Sequence, residues 1–240
     1  MKTRLDRALV ERGLAESREK AQALIMAGEV RVDGHKASKS GQPVETGAAI
    51  EVLARPPYVG RGGFKLAAAL RQFSIDAAGA VCLDVGASTG GFTDALLQAG
   101  AARVHAVDVG AGQLAWSLRT DPRVALHERI NARELTMAEI GERVNLAVCD
   151  VSFISVALIL PAIVPLLQPG GQMVILIKPQ FEVGKGQVGK GGIVRQPELH
   201  QAACERVAQA VADLGFENSI MDSPILGAEG NKEFLLHAHH

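Results

Sequence analysis

Four charged residues stand where the chain could use them for chemistry: Lys65, Asp150, Lys178 and Glu233. Taken singly, each is most simply a solvated surface charge. Three of them, however, stand at the edge of an apolar segment, as Lys178 does directly after residues 173–177. A lysine beside carboxylates can take a proton when it is neutral, or stabilise a developing negative charge when it is protonated. The order lysine, aspartate, lysine, glutamate therefore predicts one catalytic group assembled from distant parts of the chain.

A glycine-rich segment at residues 84–92 is a candidate ligand-binding loop. It reads Asp-Val-Gly-Ala-Ser-Thr-Gly-Gly-Phe, between a predicted strand and a predicted helix. Glycines let the backbone approach a ligand, and a helix N-terminus favours a negative group. Nicotinamide-dinucleotide and S-adenosylmethionine enzymes both use this plan, with an acid such as Asp108 after the next strand to hold ribose hydroxyls. The spacing Gly-x-Ser-x-x-Gly, with Asp84 ahead of it, favours S-adenosylmethionine. The predicted cofactor residues are Asp84, Gly86, Ser88, Thr89, Gly90, Gly91, Phe92 and Asp108.

The segment 149–153, Cys-Asp-Val-Ser-Phe, begins at the end of the strand predicted for residues 144–149, where such an enzyme places its chemistry. Enzymes that methylate amino groups often carry Asp or Asn followed by Pro-Pro and an aromatic residue, and that Pro-Pro is absent. A cytosine-C5 enzyme needs a cysteine nucleophile. Cys149 has the wrong neighbours for that role, and we expect it to be a small buried side chain.

The elements that must position these residues alternate between strands and helices from residue 81 onward. Strands are predicted at 81–85, 104–107, 144–149, 173–177, 217–221 and 233–237, and helices at 92–99, 156–167 and 198–214. Such alternation is typical of an α/β fold, with a mostly parallel sheet covered by helices on both faces. Its sites lie at the carboxyl ends of the strands, where Lys178 stands.

The first sixty residues have a different pattern. Apolar residues at helical spacing predict one helix from Leu5 to Gly13 and a second that Ser17 caps. Short strands at 30–32 and 49–52, with a turn at Asp33-Gly34, predict a hairpin. The sequence therefore predicts a small α+β domain over residues 1–54, a linker over 55–63 and an α/β domain over 64–240.

Composition limits the class of protein. The 240 residues are 48% hydrophobic and 21% charged, which is typical of globular domains. Residues 1–60 hold ten Lys/Arg against eight Asp/Glu, and residues 61–240 hold fifteen against eighteen. A mildly basic amino-terminal segment, called the head, therefore precedes a mildly acidic remainder of the chain. Three widely spaced cysteines fit neither a disulfide framework nor a zinc site, and no metal site is predicted. With no secretory signal or membrane span visible, a soluble cytoplasmic protein is expected.

Several stretches together carry a family resemblance. They are "RLDRALVERGLAESREKAQALIMAGEVRVDG", "RGGFKL", "DVGASTGGFTD", "CDVSFIS", "IKPQFEVGK" and "GNKEFLL". The first resembles the S4 RNA-binding domain. The chain as a whole resembles the TlyA family of ribosomal RNA methyltransferases, also called hemolysin A, whose body is similar to the FtsJ-like ribose 2′-O-methyltransferases.

The resemblance implies roles for particular residues. Lys65, Asp150, Lys178 and Glu233 match the catalytic tetrad of the family, and Asn131 matches a position near the adenine of the methyl donor. The implied cofactor is S-adenosylmethionine, the implied partner is ribosomal RNA or a ribosomal subunit, and the implied target is the 2′-hydroxyl of a cytidine.

That target gives the tetrad a chemical reason, because a ribose hydroxyl is a poor nucleophile and must lose its proton as it attacks. A lysine has an ordinary pKa of ~10.4 and is protonated near neutral pH. Burial and the like charge of Lys65 favour a neutral Lys178, whereas Asp150 and Glu233 favour the charged form. Lys178 is therefore either the base or the cation that stabilises the alkoxide.

Two groups of basic residues are predicted to contact RNA. In the head they are Arg4, Arg7, Arg18, Lys20 and Arg31, which would bind phosphates rather than read bases. Because aromatic residues make up only 4% of the chain, a grooved duplex or junction suits this surface better than a single strand. The glycine-rich loop 184–192 is expected to close over RNA, with Lys185 and Lys190 on phosphates.

Three other functions compete with this interpretation. One is a methyltransferase of the same fold that acts on a base or on another substrate. The second is an RNA-binding assembly factor with little turnover, although a non-enzyme would not need the second lysine. The third is a membrane-lytic toxin, which the absence of a spanning segment or a basic amphipathic helix disfavours.

Overall fold

The computed structural model describes residues 2–53, 57–227 and 230–240, and the chain divides into two units, Met1–Pro57 and Tyr58–His240. This division falls within the linker predicted for residues 55–63. Residues 55 and 56 of that linker lie outside the described residues, and its last two, Gly62 and Gly63, already belong to a helix.

The amino-terminal unit is a small α+β unit with its own core. Its elements are β1 (Lys2–Arg4), α1 (Leu5–Glu11), α2 (Arg18–Met26), β2 (Val30–Val32), β3 (His35–Lys36), β4 (Pro43–Glu45) and β5 (Ile50–Val52). The predicted cap of α2 is confirmed, since Ser17 Oγ accepts from the Lys20 amide at 3.2 Å. Strand β2 pairs antiparallel with both β3 and β5, and β1 pairs with β4. Leu5, Leu9 and Ile25 fill the core between the helices and strands.

The carboxyl-terminal unit alternates strands and helices. Its helices are α3 (Gly62–Gln72), α4 (Gly91–Gln98), α5 (Trp116–Arg119), α6 (Met137–Ile140), α7 (Leu160–Ile163), α8 (Pro179–Glu182) and α9 (Pro197–Ala212). Its strands are β6 (Val81–Val85), β7 (Arg103–Asp108), β8 (Val124–Glu128), β9 (Val144–Cys149), β10 (Leu167–Ile177), β11 (Glu217–Asp222) and β12 (Phe234–His239). Short 3-10 helices occur at Ala132–Glu134, Val156–Leu158, Val164–Leu166, Lys185–Gln187 and Lys190–Gly192.

The seven strands form one sheet in the order β11-β12-β10-β9-β6-β7-β8. The strands from β10 to β8 are parallel, and at the other end of the sheet β12 pairs antiparallel with both β10 and the edge strand β11. Side chains alternate between two apolar layers: Cys82 faces the layer of α3 and α4, and Leu83 faces the layer of α7 and α9. The predicted α/β fold, a mostly parallel sheet covered on both faces, is confirmed.

Several elements differ from the sequence prediction, including short ones such as β1, β3, β4, α5, α6 and α8, which were not predicted. Helix α3 and strand β8 were not predicted, and the predicted helix at 156–167 is broken into two 3-10 turns and the four-residue α7. Pro161 and Pro165 explain the break, because proline lacks an amide hydrogen and interrupts helical hydrogen bonding. Within the described ranges, no helix combines the length and apolarity needed to cross a bilayer.

Candidate active site

The site lies where the parallel strands β6, β7, β9 and β10 end. These strands are neighbours with the same direction, so the residues that follow them meet at one edge of the sheet. A cavity of about 370 Å³ opens there, with walls from the ends of β6, β7 and β9 and from residues 130–132. A smaller cavity of about 170 Å³ shares Gly86, Ser88, Asp150 and Ser152 with it and adds Lys178.

The glycine loop adopts backbone conformations that only glycine tolerates at two positions. Gly86 has φ +87°, and a Cβ there would lie 2.4 Å from the carbonyl oxygen of Asp150. Gly90 has φ +98° and directly precedes α4. Ser88, between them, also has a positive φ, of +49°. The chain therefore turns sharply and passes close to the loop after β9 while it lines both cavities.

Asp108 is fixed at the mouth of the larger cavity. Its Oδ2 accepts from the Ser88 amide and its Oδ1 from the Gly110 amide, both at 2.7 Å. Asn131 lines the same cavity, and its side chain accepts from the Arg133 amide at 3.2 Å. An acid held by two amides is oriented before any ligand arrives, which suits the binding of hydroxyl groups.

Asp84 lies behind the glycine loop rather than in a cavity wall. It is fully buried, and its Oδ2 accepts from Thr93 Oγ1 at 2.6 Å. Its Oδ1 has no hydrogen-bond partner in the part of the chain that the structure describes. Burial, followed by the nearby carboxylate of Asp150, raises the pKa of Asp84 to about 7. Of the other predicted cofactor residues, Thr89, Gly91 and Phe92 line the smaller cavity.

The four charged residues form two ion pairs. Lys178 Nζ lies 2.5 Å from Asp150 Oδ1 and donates to Ser152 Oγ at 2.9 Å. This pair stands at the wall that the two cavities share through Asp150. The Asp150–Lys178 pair therefore faces open space where a substrate could lie.

The second ion pair is enclosed. Lys65 Nζ lies 2.5 Å from Glu233 Oε2, and both side chains are buried. A Cβ at Gly227 would lie 1.9 Å from Glu233 Oε1, so the backbone presses directly on the carboxylate. Helix α3, which carries Lys65, begins beside the first pair, since a Cβ at Gly62 would lie 3.7 Å from Asp150 Oδ2.

Several residues at the site were not predicted. Ser152 and Phe153 line the larger cavity, and Gln113 both lines it and contacts Ser88 Oγ at 3.3 Å. Phe153 is 92% exposed with φ +66°, and its ring centroid lies 5.3 Å from that of Phe181. An aromatic residue three positions after the strand-end acid is a signal in the sequence that marks this position.

Glu182 is a further unpredicted residue behind the cavity wall. It is buried, and it accepts from Ser155 Oγ at 2.6 Å and from the Val156 amide at 2.7 Å. The segment after Lys178 is thereby tied to the segment after Asp150. Cys149, at the end of β9, is fully buried, and burial raises the pKa of its thiol. A buried, protonated thiol does not suit a nucleophile.

The predicted RNA-binding residues are spread over the amino-terminal unit and one loop. Arg4 and Arg18 meet at the carboxylate of Asp6. Arg7 pairs with Glu11 and Lys20 with Glu16, each one helical turn away, while Arg31 is exposed on β2. Loop 184–192 contains two 3-10 turns, and Asn231 Nδ2 donates to its Gly192 carbonyl at 3.0 Å. Lys190 lies on the second turn, and the side chain of Lys185 lies outside the described part.

Comparison with known proteins follows the same division of the chain. The S4 domain model matches residues 3–50, and the FtsJ-like methyltransferase model matches residues 58–240. The 16S/23S rRNA (cytidine-2′-O)-methyltransferase TlyA of Mycobacterium tuberculosis is 51% identical over 238 residues, which cover 98% of this chain and 89% of that protein. Hemolysin A of Brachyspira hyodysenteriae is 43% identical over 98% of both chains. A solved structure of a hemolysin-named protein from Streptococcus thermophilus superposes with a TM-score of 0.76 at 43% identity, covering 99% of this chain and 88% of that one.

Proposed function

The chain belongs to the TlyA family, with an S4 domain followed by an FtsJ-like methyltransferase domain, and on that premise we propose that it methylates the ribose 2′-hydroxyl of a cytidine in ribosomal RNA. The observation that carries this proposal is the Asp150–Lys178 pair at the wall shared by two adjoining cavities. One cavity would hold the methyl donor, and the other would admit the acceptor.

The residues around the larger cavity fit S-adenosylmethionine as the donor. When bound, this cofactor supplies an electrophilic methyl group. Asp108, already oriented by two amides, would take the ribose hydroxyls, and Asn131 would lie near the adenine. Gly86 presents its backbone to both cavities without a side chain. Asp84, with its unsatisfied Oδ1, would act from behind this loop toward the amino-acid end of the donor.

The acceptor chemistry falls to Lys178. The ribose hydroxyl loses its proton as its oxygen attacks, and Lys178 either accepts that proton as the neutral amine or, protonated, stabilises the developing alkoxide. Asp150 and Ser152 hold the Nζ atom in place for either role. Lys65 and Glu233 complete the proposed tetrad from the buried side of the site.

The amino-terminal unit and loop 184–192 would bind the RNA. We expect Arg4, Arg7, Arg18, Lys20 and Arg31 to contact phosphates, together with Lys185 and Lys190 of the loop, in the cytoplasm where ribosomal RNA is found. Deletion of residues 185–191 should weaken RNA affinity. Unchanged affinity and rate would remove the loop from the proposed RNA surface.

One experiment tests the function directly. The full chain is incubated with S-adenosylmethionine labelled on its methyl group and with separated small or large ribosomal subunits, and the modified nucleotide is then mapped. The proposal expects label on the 2′-oxygen of a cytidine in at least one subunit. Label on a base would indicate another methyltransferase of the same fold, and RNA binding without label would indicate an assembly factor.

A further inference from the structure

The two arginines that meet in the amino-terminal unit are held by one buried carboxylate. Asp6 lies in the first turn of α1 with its side chain 0% exposed, whereas the side chains of Arg4 and Arg18 are 51% and 59% exposed. A charged side chain is rarely buried so completely unless it is paired. Asp6 therefore has a specific task in this unit.

Four hydrogen bonds converge on the Asp6 carboxylate. Arg4 donates Nε to Oδ1 at 3.1 Å and Nη2 to Oδ2 at 3.0 Å. Arg18 donates Nε and Gln22 donates Nε2 to Oδ2, both at 3.0 Å. These hydrogen bonds, that of Arg4 above all, hold the pKa of Asp6 well below its ordinary value. The carboxylate is thus charged at neutral pH; it holds the Arg4 guanidinium through two hydrogen bonds and the Arg18 guanidinium through one.

The pairing leaves donors available on the exposed side of the cluster. Asp6 uses Nε and Nη2 of Arg4 and only Nε of Arg18. Within the described ranges, Nη1 of Arg4 and both Nη atoms of Arg18 make no hydrogen bond. Since guanidinium groups bind phosphate through pairs of parallel N–H donors, the free donors suit the backbone of a nucleic acid.

We propose that Asp6 is a positioning residue that holds Arg4 and Arg18 as a preformed phosphate clamp for RNA. This proposal rests on the RNA-modifying function above and assigns a role to a carboxylate in the RNA-binding unit. Free arginine side chains lose rotamer freedom when they bind a ligand, and this loss of entropy lowers the affinity. Because Asp6 already orders both arginines in the folded chain, part of this entropy is lost during folding and not on RNA binding.

The sign of one substitution separates this proposal from simple electrostatics. Asp6→Asn removes a negative charge close to the RNA surface, so charge alone predicts tighter RNA binding. Loss of positioning predicts the opposite, because an asparagine amide presents its own N–H donors to one of the guanidinium groups. We expect the affinity for a fluorescein-labelled RNA hairpin of arbitrary sequence to fall about tenfold. Equal or tighter binding by Asp6→Asn would overturn the proposal.

Two further variants keep the test decisive. Glu16→Gln makes the same charge change on the same unit at an exposed residue whose ion pair among the described residues is with Lys20, and it should bind the hairpin as tightly as the unaltered chain or more tightly. Arg18→Lys keeps the positive charge but lacks the planar fork, so it cannot hold Asp6 through one nitrogen while it presents a parallel pair of N–H donors to a phosphate. Arg18→Lys should therefore lose affinity for the hairpin. It keeps the proposal testable even if circular dichroism and thermal unfolding show that Asp6→Asn does not fold. Unchanged affinity in folded Arg18→Lys would also contradict the clamp.

A cycle with Arg4→Ala and Arg18→Ala distinguishes positioning from general stability. If Asp6 acts through the arginines, Asp6→Asn should add little to the loss of affinity in the double-alanine chain. A loss of the same size in that background would assign Asp6 a merely structural role. The unaltered chain serves as the reference for the function itself. If it neither binds the hairpin nor methylates ribosomal subunits, the proposed function fails, whereas if it does both and Asp6→Asn binds normally, only the clamp fails.

Discussion

The two lysine–carboxylate pairs of the carboxyl-terminal unit have the same chemistry in different surroundings. In both, the lysine nitrogen lies 2.5 Å from a carboxylate oxygen. The Asp150–Lys178 pair lines a cavity and has Ser152 as a third member, whereas Lys65 and Glu233 are enclosed and line neither cavity at the strand ends. The difference shows that one pair can meet a substrate as the structure stands. The other can act only through the protein that surrounds it.

This contrast follows from the sheet. Asp150 and Lys178 directly follow the parallel strands β9 and β10, whose carboxyl ends form the open edge. Glu233 directly precedes the antiparallel strand β12, which runs back from the same edge, and Lys65 reaches it from α3. The Lys65–Glu233 pair is therefore buried between the start of β12, at this edge of the sheet, and α3, which covers the sheet.

The largest expected effect is the loss of Lys178. Lys178→Ala should lower the rate of methyl transfer on the order of 10³-fold, because the hydroxyl loses either its base or the cation that stabilises its alkoxide. Donor affinity should survive, since the larger cavity is lined by other residues. Rates with labelled donor and equilibrium dialysis of the donor measure the two quantities. Lys232→Ala removes an exposed lysine paired with Asp222 and serves as the control. Normal turnover by Lys178→Ala would remove Lys178 from the mechanism.

Breaking the enclosed pair should first affect stability. Glu233→Gln leaves the Lys65 cation buried without a counter-charge, which should lower the free energy of unfolding by about 3–5 kcal/mol in urea titrations. Replacing both residues, as Lys65→Met with Glu233→Leu, removes both charges and should restore most of that stability. We expect the double variant to remain inactive, because the proposed tetrad needs both groups. A stable and active double variant would reduce this pair to a structural role.

The sequence could indicate single site residues but not their pairing. Lys178 and Asp108 could be predicted because a polar residue that ends an apolar strand is visible in the sequence. The Lys65–Glu233 pair joins residues 168 positions apart, and which lysine meets which carboxylate depends on the reversal of β12. In the same way, the clamp around Asp6 depends on how α1 and α2 pack, although each of its residues is charged or polar and near the start of the chain.

Helix α3 shows why part of the fold was missed. Its first residues, Gly62 and Gly63, are poor helix formers and were assigned to a linker. Close packing favours glycine at both positions: a Cβ at Gly62 would lie 3.2 Å from Phe92 Cδ1 in the first turn of α4, and a Cβ at Gly63 would lie 2.2 Å from Tyr58 Cγ. Tertiary packing therefore overrides local propensity at this point, and a single sequence does not reveal such a contact.

Asp84 is a third carboxylate that can be compared with those of the two ion pairs. It is buried, and its side-chain partner among the described residues is the Thr93 hydroxyl rather than a lysine. Its pKa of about 7 lies above the ordinary value of 3.8, so the folded chain binds the extra proton and stability falls as the pH rises between those values. Asp84→Asn removes that penalty. The variant should gain up to about 4 kcal/mol over the unaltered chain at pH 8, on the order of three pKa units at 1.36 kcal/mol each, and nothing near pH 4. Urea unfolding at several pH values measures the difference. A gain that does not vary with pH would contradict an origin in this carboxylate.

The smallest expected effect concerns Glu182. Its carboxylate ties the segment after Lys178 to the segment after Asp150 by accepting two hydrogen bonds. Glu182→Ala leaves the Val156 amide and the Ser155 hydroxyl without their acceptor, so the wall that carries Ser152 should loosen and kcat should fall about tenfold. In Glu182→Gln one oxygen still accepts from the amide, and the Ser155 hydroxyl can turn to accept from the new NH₂ group. The glutamine variant should therefore keep most of its turnover. If the two variants lose activity equally, the charge of Glu182 matters rather than its hydrogen bonds. The open pair at Lys178 would then depend on the buried charge of Glu182, just as each member of the enclosed pair depends on the buried charge of the other.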